Sequence, residues 1–133
     1  MIIKLIKFYI LYLLICYFFL VNCFPMNSLN EFSTDKDVLL VGILIYKHYY
    51  DANDNIERVV VLRLNSSINV KRDEFGGPVK DIKDIQLIFR ETIQWRSFVN
   101  TNREVQVEGR LFYPMTAHQH TRILLETKAI RWW

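Results

Sequence analysis

The sequence predicts a mainly β domain: a five-stranded barrel with one short helix between its third and fourth strands, behind an N-terminal signal helix. Three observations carry this. Val105, Val107, Gly109 and Leu111 alternate with Glu104, Gln106, Glu108 and Arg110, which is the period of a half-buried strand. Runs rich in β-branched and apolar residues are separated by turn clusters at 51–55, 65–69 and 76–78. Only one internal segment, 90–99, spaces its apolar residues (Ile93, Trp95, Phe98, Val99) as a helix does.

The chain begins with a leader. Lys4 and Lys7 precede an uncharged apolar run from Phe8 to Val21, the layout of a secretory signal. That run falls short of the roughly 20 apolar residues that span a bilayer. A cleaved signal over 1–24 is therefore expected, with the mature start near Phe24. The stretch Leu20-Val21-Asn22-Cys23 also resembles a bacterial lipobox, which would make Cys23 a lipidated first residue and the protein a membrane-anchored lipoprotein. Asn22 stands where a lipobox has Gly, Ala or Ser. Cys16 leaves with the leader, so no internal disulfide can form in the mature chain.

Residues 25–37 are polar and weakly patterned, and read as a tether. The domain proper is expected over 38–133, ordinary in size for a single core. Of the net charge of +3, Lys4 and Lys7 account for two, so 15 basic residues then face 14 acidic ones. A charge-driven nucleic-acid partner normally meets a strongly basic face, which this balance does not supply.

Within the domain, 38–46 is almost wholly apolar, which predicts a strand buried on both faces, and Gly42 permits a bend that serves two halves of a barrel. Residues 56–64 form the second strand, rich in Val. Residues 82–89 form a weaker third, with Ile82, Ile85, Leu87 and Phe89 as its apolar set. The helix follows over 90–99. The fourth strand, 104–113, is stopped by Pro114, and 122–130 is the fifth. Three strands, a helix and two strands is the order of the Greek-key barrel called the OB-fold.

The C-terminal half carries a resemblance. Val105, Val107, Gly109, Leu111 and Phe112, then Thr116, Ala117, His118, His120 and Thr121, then Ile123, Leu124 and Leu125 follow a recurring pattern. That pattern is Val-x-Val-x-Gly-x-Leu-Phe, Thr-(Gly/Ala)-His-His-His-Thr and a Val/Ile-Leu-Leu strand. It resembles an uncharacterised bacterial family of small exported domains of unknown function, over about residues 82–130. Gln119 stands at the family's middle histidine. The resemblance implies a fold and a compartment, and no reaction.

His118 and His120 lie two apart between Thr116 and Thr121. In an extended loop both imidazoles face one way and suit a Zn or Cu ion, with Glu108 as the third ligand nearest in sequence. Alternatively the four residues satisfy turn groups or contact a partner, with Thr116 and Thr121 fixing the loop. Asp51-x-Asn53-x-Asn55 begins like a calcium loop, but Ile56 and Leu62 stand where an EF-hand needs Gly and Glu. It reads as a hairpin turn. No Gly-x-Ser-x-Gly elbow and no carboxylate pair is present, so nothing points to an enzyme.

Tyr46, Tyr49, Tyr50, Phe112 and Tyr113, near Arg110 and Arg122, offer a face for single-stranded nucleic acid or an oligosaccharide. Trp132 and Trp133 suit the cover of a barrel end. The reading is an exported, non-enzymatic binding module, secreted or periplasmic, that contacts an envelope or extracellular protein or small ligand through the 114–121 loop. Its contact with the membrane would run only through the leader or a lipid on Cys23.

Overall fold

The structure, a computed structural model, describes residues 30–133; the expected signal, Cys23 and the first part of the tether lie outside the described residues. Six strands follow in order: β1 Glu31–Phe32, β2 Asp37–Tyr50, β3 Ile56–Val70, β4 Val79–Phe89, β5 Val105–Phe112 and β6 Leu124–Trp132. They pair in the order β1-β3-β2-β5-β6-β4, and β4 pairs back onto β3. Strands β2 to β6 thus close a ring, with β1 laid parallel against β3. Within the ring β4 and β6 run parallel and every other pair is antiparallel. This is the five-stranded OB-like Greek-key barrel expected from the strand order.

Gly42 is where the ring turns its corner. β2 pairs with β5 from Asp37 to Gly42 and with β3 from Gly42 to Tyr50. A Cβ at Gly42 would overlap the carbonyl oxygen of Arg63, so no other residue allows this approach without a shift of the backbone. Gly109 sits at the β5–β6 register shift in the same relation to the Glu126 carbonyl.

Three segments differ from expectation. Residues 90–99 are no helix; they contain a single 3-10 turn, Arg96–Phe98, within an irregular crossover. Their apolar residues plug the barrel end instead. Trp95 stacks on Phe89 with ring centroids 4.9 Å apart and meets Tyr46 edge-on at 6.2 Å, while Val99 bridges Leu44. Tertiary packing of this kind outweighs the weak drive of so short a segment to form a helix. Residues 65–69 do not reverse the chain but lie inside β3, whose pairing to β4 slips on either side of the buried Ile68. Part of the expected tether is strand, Glu31 and Phe32 pairing with Asn69 and Val70.

The barrel interior is filled by inward side chains such as Leu44, Leu62, Ile82, Ile85, Val105, Val107, Leu111 and Leu125, each at most 1% exposed. Burying one such side chain contributes about 1.5–3 kcal/mol. Val59, Val61 and Leu124 are buried as well, yet stand apart from this core cluster. Alternation along their strands turns them, with Gln86, to the outer face of the barrel. There Gln86 lies between Val61 on β3 and Leu124 on β6.

Candidate functional site

The connection between β5 and β6, residues 113–123, folds back over that outer face. Gln86 is its foundation. The Gln86 backbone N–H donates to Thr121 Oγ1 at 2.9 Å, its side-chain Nε2 donates to the His118 carbonyl at 3.0 Å, and its Oε1 accepts from the His120 N–H at 2.8 Å. A buried primary amide here pairs with the loop as a neighbouring strand would, satisfying groups that burial would otherwise penalise. Thr121 is buried and donates its hydroxyl to the Ile123 carbonyl at 2.7 Å. At the tip, Gln119 Oε1 accepts from the backbone N–H of Met115 (2.5 Å) and Thr116 (3.1 Å). Thr116 joins this staple through its backbone, and its residue is exposed.

The two histidines converge on one carboxylate. Glu57, at the start of β3, lies 3.1 and 3.2 Å from His118 Nδ1 through its two oxygens, and 2.8 Å from His120 Nε2. A carboxylate only accepts, so each ring directs an N–H at it: Nδ1–H on His118 and Nε2–H on His120. The contacts from His120 first, then His118, hold the Glu57 carboxyl below its ordinary value. The side chains of His118 and His120 are 73% and 11% exposed, so His120 is the anchor and His118 the outward group. Tyr49 of β2, opposite Glu57 in register, stacks against the His120 ring.

The β2–β3 turn completes the neighbourhood. Asp51 accepts from the backbone N–H of Asn53 and Asn55 and from Asn55 Nδ2, closing the turn as a hairpin. Asp54 adopts the left-handed conformation that the turn requires. These hydrogen bonds, with Asn55 the largest contributor, lower the Asp51 carboxyl, and nearby His118 adds to the effect.

Glu108 takes no part. It sits on β5 opposite Leu39 and Ala129, in a small depression shared with Gln106 and Arg131. Sequence proximity suggested it, whereas the carboxylate that reaches the loop comes from β3. Among the described residues, no group of three or more His, Cys, Asp or Glu is spaced to hold a metal ion. The aromatic face is largely engaged. Tyr46 lies beneath Arg58, with the guanidinium 4.3 Å from the ring centroid. Tyr49 is covered by His120. The Tyr113 hydroxyl lies 2.7 Å from the Gly77 carbonyl and 3.1 Å from that of Lys71. Tyr50 stays 71% exposed. Trp132 packs on Phe98, whereas Trp133 is 69% exposed.

Sequence reasoning gave Glu57 and Gln86 no role in the site, named Tyr49 only for the aromatic face, and named Gln119 only as a departure from the histidine motif. Gln86 carried a visible signal, a lone amide between Ile85 and Leu87 in an apolar strand. Glu57 carried none, because its meeting with the loop depends on how the ring closes.

No curated protein and no solved structure matches the chain. The family described as a domain of unknown function (DUF4431) matches residues 84–131, which run from β4 through β5 and the histidine loop into β6.

Proposed function

We propose that this chain is an exported, non-enzymatic binding module of the cell envelope or extracellular space, and that the 113–123 loop is its contact surface. His118 is the outward polar contact, and His120, Thr121 and the Thr116 backbone hold the loop in shape. The observation that carries this reading is the Gln86 amide clamp on the loop beside the Glu57–histidine contacts. OB-like barrels bind ligands on this face and through the loops beside it. A loop ordered beforehand avoids the conformational cost of binding. The partner is an envelope or extracellular protein or a small ligand.

His118→Ala tests this, because the residue is largely exposed and its loss should leave the circular dichroism unchanged. Immobilised wild-type protein is expected to retain envelope or extracellular components that the variant releases. Equal retention by both would remove the loop from the contact surface. Export rests on the leader over 1–24, and the mass of the mature protein checks it: a start near Phe24 supports cleavage, a diacylated Cys23 a lipoprotein anchor.

A second reading, a Zn or Cu ion held by His118 and His120, draws on the convergence of both rings on Glu57, which replaces Glu108 as the carboxylate. The ion would have to displace both ring N–H bonds to Glu57 and draw together three groups that, as placed, are not spaced to hold it. Saturable shifts of both rings on titration with Zn²⁺, lost in Glu57→Gln, support it; unshifted rings reject it.

A further inference from the structure

On the outer face of β4, β5 and β6 lies a cavity of about 460 Å³ that Met115 and Gln119 of the loop help to line and that His118 and His120 do not. Ile88, Phe89, Phe112 and Met115 supply its apolar wall, and Arg90 and Arg110 bring guanidinium groups to it. A second cavity of about 240 Å³ shares Arg110, Phe112 and Met115 and extends to Phe75. Met115 is 75% exposed and Phe75 72%, exposures that burial in the fold does not explain. A volume of several hundred Å³ with apolar walls and a few converging polar groups is that of a small-molecule site.

Charge decides the kind of ligand. The two cavities together are lined by two guanidiniums and two carboxylates, Glu126 and Asp73, and Asp73 already accepts from the backbone N–H of Phe75 and Gly76. Arg90 directs Nε and Nη2 at Glu126 Oε1, at 3.1 and 2.6 Å. Among the described residues Arg110 reaches only Asp37, at 3.4 Å, and Asp37 already accepts from Lys128 at 2.6 Å. Arg110 therefore keeps donors for an incoming anion, and a planar guanidinium matches a carboxylate with two parallel hydrogen bonds. The flexible Met115 thioether adapts to an aliphatic chain. We propose that this paired cavity binds a single-chain aliphatic carboxylate, its head group on Arg110 and its tail along Phe112 and Met115.

Calorimetric titration of the purified protein with dodecanoate, below its micelle concentration, tests this. Saturable one-to-one binding is expected, with dodecyltrimethylammonium at least about tenfold weaker, since the head-group bond is charge-assisted. Arg110→Gln and Met115→Ser are each expected to weaken dodecanoate several-fold, and His118→Ala to leave it unchanged, which separates this site from the loop contact. Absence of saturable binding, equal affinity for the cationic amphiphile, or unaltered affinity in Arg110→Gln would overturn the proposal.

Discussion

Tyr49 and His120 stack face to face, their ring centroids 4.6 Å apart and their planes within 4°. One ring belongs to the longest-paired hairpin of the barrel, the other to a connection between its last two strands. The stack, with the Glu57 bond beside it, ties the loop to β2 and β3 from above while Gln86 holds it from β4.

Removing the lower ring should free the upper one. Tyr49→Ala is expected to lower stability by about 1 kcal/mol, the worth of such a pair, and to speed amide exchange at His120. Tyr49→Phe keeps the ring and should behave as wild type in both measurements.

Stability should depend on pH through Glu57. Its folded carboxyl titrates below the ordinary 4.5, so it binds fewer protons folded than unfolded near that pH. The Glu57 contribution is therefore complete above about pH 4.5 and fades as pH falls through the lower folded value. Denaturation midpoints followed from about pH 7 to about pH 3 should fall less steeply in Glu57→Gln than in the wild type. Parallel curves would show that the two imidazole contacts are unimportant in solution.

The Gln86 clamp is buried, and its loss leaves loop groups without partners. Gln86→Ala is expected to destabilise by about 1–3 kcal/mol and to increase exchange at the His120 amide, with the core amides of β5 unaffected at the local level. Gln86→Leu, which fills the space, should loosen the loop equally.

The two close approaches of backbone predict a contrast among glycines. Gly42→Ala and Gly109→Ala each force a methyl into a carbonyl oxygen and should cost about 1–3 kcal/mol or more. Gly77→Ala meets nothing within 4 Å and should be close to neutral. Thermal melts of the three variants check this order.

Much of the barrel was legible in local pattern. Alternation from Val105 to Leu111 named the inward face of β5, and Gly42 inside an apolar run announced the bend at which β2 changes partners. The misread segments share a physical cause. At 90–99 the apolar spacing suited a helix equally well, but Trp95 and Val99 found Phe89 and Leu44 on other strands. At 65–69 polar residues suggested reversal, yet they sit on the outside of a bulged strand around buried Ile68. In the site, Thr121 and the histidines declared themselves by composition. Glu57 did not, since no feature of its neighbourhood in sequence records which loop will lie across it.

The corner at Gly42 also orders events in time. The second half of β2 finds β3 just across a short turn, but its first half must wait for β5, beyond the whole crossover. Joining segments so far apart in the chain carries the larger loop-closure entropy and slows folding. During refolding, pulse labelling should find the amides of Val38 to Val41 protected no earlier than those of Ile45 to Tyr49, so that a bend in one strand marks the last seam of the ring to be sewn.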